Sequence, residues 1–174
     1  MKLYYHIGFG SYLYQTLTVA SHPKQSDFWA VVVHHVSTVS VMAASYLLGF
    51  TRIGIVILLL HDCSDPVMEI AKCFLYLGWE KVADVMFTLF AVVFLVTRNV
   101  LFPYVIYTAH ENSILEDGER MPRGYGHWVL FCLGCLWILA ALNMFWGYLI
   151  IKIAAMKLIT NDVVGDIREE DSEE

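Results

Sequence analysis

Two adjacent histidines, His34 and His35, stand in one apolar stretch of this chain, and His61, Asp62 and Asp65 stand in the next. An ionisable side chain at the centre of a membrane-crossing helix costs about 2.5–3.5 kcal/mol, so such groups by default mark a functional site. The residue types narrow the chemistry. An imidazole can take an acyl group or act as base on an attacking amine, and a carboxylate bonded to its other nitrogen fixes the tautomer. Metal-dependent oxygenation is disfavoured, because the seven histidines are scattered and supply only one adjacent pair. A serine hydrolase is disfavoured too, since Gly-x-Ser-x-Gly is absent. Cys63, Cys73, Cys132 and Cys135 all fall in apolar stretches, and Cys132-Leu-Gly-Cys135 reads as small packing residues on one helix rather than a zinc or redox pair.

The elements that must position these groups are membrane helices. The composition is 58% hydrophobic and 16% charged, with a mean hydropathy of +0.58, which excludes an ordinary soluble domain. Five apolar stretches, about 3–20, 29–48, 53–77, 82–107 and 127–153, each approach the roughly 20 residues needed to cross a bilayer. Five crossings would put the termini on opposite sides. Tyr4, Tyr5, His6 and Gln15 interrupt the first stretch, so it does not read as a cleavable signal peptide. The expected division is a transmembrane domain over 1–157 and an acidic, solvated tail over 158–174, whose acids account for the formal net charge of −6. With the tail cytosolic, Lys24, Lys72, Lys81, Lys152, Lys157 and Arg168 share its side, while Lys2, Arg52, Arg120 and Arg123 lie opposite.

If the second and third stretches form a hairpin turning at Gly49-Phe50, His34 and Asp65 lie equally far from the turn, roughly 23 Å along their helices. That equality predicts a His34–Asp65 pair on the cytosolic side of the midplane. Asp62 falls about three residues' rise nearer the turn, roughly 5 Å, and within reach of the same cavity. Asp62, Asp65, Glu69, Lys72 and Tyr76 recur at three- and four-residue spacing and predict one polar stripe on a continuous helix. Ser37 and Thr38 follow His34 on the facing wall, with Ser45 further along that side. His35 points about 100° away from His34, so the two imidazoles are not equivalent. His6, His110 and His127, near segment ends, read as interhelical hydrogen-bonders. Arg98 is expected to pair with an acid or turn to the interface, and Asn143 to bond a neighbouring helix. Tyr4, Trp29, Trp79, Tyr104, Trp128 and Tyr148 read as interface anchors.

Residues 34–79 resemble the longevity-assurance motif of the ceramide synthases, within the TLC family of membrane proteins. His34-His35, Ser45-Tyr46, Phe50, Arg52, Gly54, the His-Asp-x-Ser-Asp of residues 61–65, Glu69, Ala71-Lys72 and Tyr76 carry the likeness, which Thr97-Arg98, Phe102-Pro103, Trp146 and Tyr148-Leu149 extend. The resemblance implies an all-α polytopic bundle, with about five spans present of a six-helix barrel and a helix preceding Met1 in the full protein. It implies sphingoid base N-acylation in the endoplasmic reticulum membrane, with fatty acyl-CoA as co-substrate and no further cofactor or metal. Partners would be acyl-CoA, a long-chain base such as sphinganine and the bilayer, with room for a homo- or hetero-dimer and no role for nucleic acid. By the same resemblance His34 takes the acyl group or its equivalent role, Asp65 assists, and His35 and Asp62 support them. Ser37, Thr38, His61, Glu69 and Lys72 are the candidate substrate contacts. Residues 109–126 are the candidate for setting acyl-chain length. The alternative is a non-catalytic TLC-type protein that binds or moves lipid, and a third reading is an acyltransferase with a different amine acceptor.

Overall fold

The computed structural model describes residues 2–21, 26–115 and 126–160. Every apolar stretch becomes helical: α1 (Lys2–Thr18, continued by a 3₁₀ turn over Val19–Ser21), α2 (Phe28–Leu47), α3 (Thr51–Asp62), α4 (Asp65–Tyr76), α5 (Glu80–Phe94), a π-helical turn (Leu95–Leu101), α6 (Phe102–Leu115) and α7 (Gly126–Thr160). No strand occurs among the described residues. Helix is the expected outcome, because inside a bilayer only internal hydrogen bonding satisfies an isolated segment's backbone.

Among the described residues, three helical runs are long and apolar enough to cross a membrane: Phe28–Leu47, Glu80–Glu111 and Gly126–Met156. The third sequence stretch is not the single helix expected. It breaks at Cys63-Ser64 into two 12-residue helices, each about 18 Å long and too short to span alone. The cause is Pro66, which has no N–H for the Asp62 carbonyl and whose ring clashes with it. The ladder restarts one turn on, with Val67 and Met68 N–H donating to the Ser64 carbonyl at 3.1 and 3.2 Å. Pro66 thereby falls in the first turn of α4, where its missing donor costs nothing.

Gly49 and Gly78 end α2 and α4. Both adopt positive φ, +80° and +75°, which an L side chain would strain. Each carries the paired 6→1 and 5→2 bonds of a Schellman turn: Phe50 to Ser45 (2.8 Å) with Gly49 to Tyr46 (3.3 Å), and Trp79 to Phe74 with Gly78 to Leu75, both 3.0 Å. The second turn adds a stacked Phe74–Trp79 pair, 5.8 Å between ring centroids, and folds α4 onto α5.

Pro103 explains the π turn. It cannot donate to the Asn99 carbonyl, and the Phe102 N–H instead reaches five residues back to Thr97. The widened turn presents Arg98 to the interior, where it is 9% exposed.

Packing converges on α7. Val41 of α2, Phe102 and Ile106 of α6, and Leu133, Leu136, Leu139 and Ala140 of α7 form one cluster. Phe90, Ala91 and Phe94 of α5 meet Ile150 and Trp146 in a second, and Tyr5, Met42 and Leu58 join α1, α2 and α3 in a third. Gly147 lets the π turn approach α7 closely, since a Cβ there would meet the Asn99 amide. α7 continues to Thr160, past the expected domain boundary at 157. The remainder of the acidic tail, 161–174, and residues 116–125 of the proposed length-setting segment lie outside the described residues; its first part, 109–115, is the end of α6.

Candidate functional site

The first and third clusters meet at His61, which sits at the end of α3 and is 5% exposed. Its Nδ1 lies 2.8 Å from the Ile57 carbonyl. A carbonyl only accepts, so the ring proton is on Nδ1 and Nε2 of the neutral ring must accept. Asn143 of α7 supplies the complement, its Nδ2 donating to Nε2 at 3.0 Å. Phe102 meets the same ring edge-on at 4.7 Å. With both nitrogens occupied, His61 holds its place and has no lone pair left for proton transfer.

His34 stands beside it. Its ring is 6.3 Å from that of His61, 5.6 Å from His35 and 5.3 Å from Trp146, the last two edge-to-face. Trp146 is aimed by Asp27, which precedes α2 and accepts the indole N–H at 3.0 Å. His34 Nδ1 and His35 Nδ1 are buried without a hydrogen-bond partner among the described residues. So is Thr38 Oγ1, one helical turn from His34. Leaving a buried polar atom unpaired costs about 1–3 kcal/mol, a cost that substrate could relieve.

Arg98 binds the joint between α3 and α4. Its guanidinium donates to the His61 carbonyl and to Asp65 Oδ1 at 2.5 Å. The first acceptor belongs to the last turn of α3, where carbonyls lack helical donors. The second lies in the first turn of α4, where an acid is favoured by the helix dipole. Arg98 Cζ also lies 4.8 Å from the centre of the Phe94 ring.

The anticipated level match therefore shifts. Counting residues from the turn put His34 opposite Asp65, but His34 meets His61, one turn nearer Gly49. Asp65 bonds Arg98 and Ser64 (3.2 Å), and no hydrogen bond joins it to either imidazole of α2 among the described residues. The Pro66 break is the reason, because it ends the straight helix on which the count relied. It also splits the polar stripe: Asp62 closes α3 and accepts the Tyr4 hydroxyl at 2.5 Å, while Glu69 and Lys72 pair with each other at 3.2 Å on the exposed side of α4. His35 faces α1, with Tyr12 6.1 Å away. Ser37 is buried on α2. Of the expected site residues, the structure brings His34, His35, Thr38 and His61 together, and holds Asp65 one residue further off, through Arg98.

Two participants, Tyr4 and Asp27, escaped the sequence reading. Tyr4 looked like an interface anchor yet bonds Asp62. Asp27 gave no signal, since an acid before an apolar helix is ordinary. Arg98 pairs with an acid, Asp65, and Asn143 bonds a neighbouring helix, both as expected, but neither was legible as a partner of His61.

A narrow, almost wholly apolar cavity runs from His61 and Thr38 between Met42, Leu58, Leu136 and Leu139 to Tyr5, Ser45 and Gly54. At that end the Tyr5 hydroxyl bonds Ser45 Oγ and the Met42 carbonyl at 2.9 Å. A Cβ on Gly54 would lie 2.9 Å from the Tyr5 ring. The arrangement joins a polar, partly unpaired head region to a hydrocarbon-lined extension.

A family model for the TLC domain matches residues 1–152. The chain is 38% identical to Alternaria stem canker resistance protein 1 of Solanum lycopersicum, over 94% of this chain and 54% of that protein. It is 36% identical to ceramide synthase LOH2 of Arabidopsis thaliana, over 100% of this chain and 59% of that protein. With human ceramide synthase 4 it shares 35% identity, over 98% of this chain and 43% of that protein. It thus spans about half the length of these curated relatives. A helical membrane domain matched by this model from its first residue to its last long helix is a member of the TLC-domain family.

Proposed function

We propose that this chain is the catalytic membrane domain of a sphingoid base N-acyltransferase of the ceramide synthase type. The observation that carries the reading is the unpartnered Nδ1 of His34, beside a locked His61 that lines an apolar cavity. The relatives named ceramide synthases supply the substrate classes, fatty acyl-CoA and a long-chain base.

The chemistry balances with these parts. A His34 ring nitrogen attacks the thioester carbonyl, the C–S bond breaks and coenzyme A leaves as the thiol with the ring proton. The acyl-imidazole is then attacked by the neutral amine. The amide C–N bond forms, the acyl–imidazole bond breaks and the imidazole recovers a proton from the amine. Asp65 assists by holding Arg98 rather than by touching the ring, and His35 and Asp62 line the flanks. Acyl-CoA approaches from the cytosol, so the site opens to that face of the endoplasmic reticulum membrane, with the C-terminus on the same side.

The test is mass spectrometry of membranes carrying the full-length protein, given sphinganine and a panel of acyl-CoAs. N-acyl sphinganine is expected from the wild type. His34→Ala is expected to lose at least 100-fold, within the 10²–10⁴-fold typical of a proton-transfer or nucleophilic group, while still inserting. Wild-type turnover by His34→Ala would overturn the residue assignment. No product from an inserted wild type would move the protein to a lipid-binding role.

A further inference from the structure

Four polar atoms around His61 lack partners among the described residues: His34 Nδ1, Thr38 Oγ1, Asn143 Oδ1 and, on the side of the His61 carbonyl, the donor Arg98 Nε. The third is the most constrained. Asn143 is 0% exposed, and its amide orientation is not free, because the Ile57 carbonyl fixes the proton on His61 Nδ1 and leaves Nε2 only the amide N–H₂ to accept from. Oδ1 therefore points elsewhere, buried, able only to accept. Its complement is a donor, an amine or a hydroxyl. A carboxylate or phosphate is the wrong chemistry, and no basic side chain lines the cavity that begins at His61. That cavity is walled by Met42, Leu58, Leu136 and Leu139 and measures about 30 Å³, so its lining matches an alkyl chain and its walls must part to admit one.

We infer that Asn143 Oδ1 is the specificity-determining acceptor for the hydrogen-bond-donating head of a long-chain amine substrate, with Thr38 Oγ1 completing the contact. The inference rests on the acyltransfer reading and extends it from the acyl-accepting histidine to recognition of the second substrate. Asn143 has two tasks on two atoms: Nδ2 fixes His61, and Oδ1 reads the amine's head.

The experiment uses the full-length protein in membranes, with palmitoyl-CoA and either sphinganine or octadecylamine, a plain primary amine without hydroxyls. Asn143→Ala is expected to lower kcat/KM for sphinganine at least tenfold, with KM for palmitoyl-CoA moving less than twofold. Asn143→Asp, whose protonated carboxyl keeps a donor for His61 and a carbonyl oxygen, is expected to recover part of the loss. An equal loss with octadecylamine assigns the contact to the amine, and a loss confined to sphinganine assigns it to a hydroxyl. Should Asn143→Ala fail to accumulate, Asn143→Thr keeps a donor for His61 without the amide carbonyl and carries the same comparison. Unchanged sphinganine kinetics, or a rise in KM for palmitoyl-CoA as large as the loss for the amine, would overturn the inference. An inactive wild type would instead overturn the acyltransfer reading on which it rests.

Discussion

His61 has each ring nitrogen committed to a different helix, and that decides the division of labour among the histidines. Ile57 and Asn143 hold it neutral and still, so the unpartnered ring nitrogens beside it belong to His34 and His35, and of these His34 is the one whose ring faces His61. Trp146 matters for the same reason: its indole N–H reaches Asp27 while its ring meets the edge of His34. Trp146→Phe keeps a ring against His34 and loses the bond, so about 1.5 kcal/mol of stability should go, the low end for a hydrogen bond to a charged group. A thermal melt in detergent would register this as a lower midpoint. At this scale the sequence was informative about which residues carry the polarity and poor at who meets whom. His34, His61, Arg98 and Asn143 declare themselves by being polar in apolar surroundings. Their partnerships depend on rotations that spacing does not encode.

Helix boundaries were legible wherever a local rule sets them. Gly49 and Gly78 announce turns, and both are Schellman turns with positive φ. Gly78→Ala would place an L residue in that region at a cost of roughly 1–2 kcal/mol, measurable by the same melts. Hydropathy alone could not separate α3 from α4, because apolar residues continue across the joint. Pro66 was the available clue, and its effect is clear only beside Arg98, which takes the carbonyl next to the one the ring displaces. Pro66→Ala would return an N–H to the ladder, favour a straight α3–α4 helix and draw Asp65 off Arg98. Acyl transfer should fall at least tenfold while the thermal midpoint moves little, a separation that paired activity and melting measurements would reveal. Arg98→Ala is harsher. About 3 kcal/mol should be lost, the low end for breaking a buried pair, because Asp65 is 56% exposed and partly screened.

Across the whole molecule, an all-α membrane bundle followed from composition and segment length. Among the described residues three single runs combine length with apolarity, and how the shorter helices are placed depends on packing that composition does not encode. Large apolar side chains face outward along the long helices, among them Val85, Val92, Val96 and Val100, spaced by seven, four and four residues. That stripe is the lipid-facing side of the run. Val92→Lys should disfavour insertion by about 2.5–3.5 kcal/mol and reduce the membrane-integrated fraction in an insertion assay. Gly147, on α7, tests the side of the same run that packs against it. Gly147→Leu must displace Asn99, and overpacking of this kind costs typically about 1–3 kcal/mol. Thermal inactivation of the solubilised protein should accelerate accordingly.

The bond between Arg98 and the α3–α4 joint also has a consequence for biogenesis. Asp65 and Arg98 are 33 residues apart in the chain, and at synthesis rates of roughly 5–20 residues per second the arginine is made about 2–7 s after its partner. During that interval the two short helices have neither the length to cross a bilayer nor the guanidinium that ties their junction. The nascent segment should therefore wait at the membrane surface, or under a chaperone's cover, until the following long span arrives and draws it in.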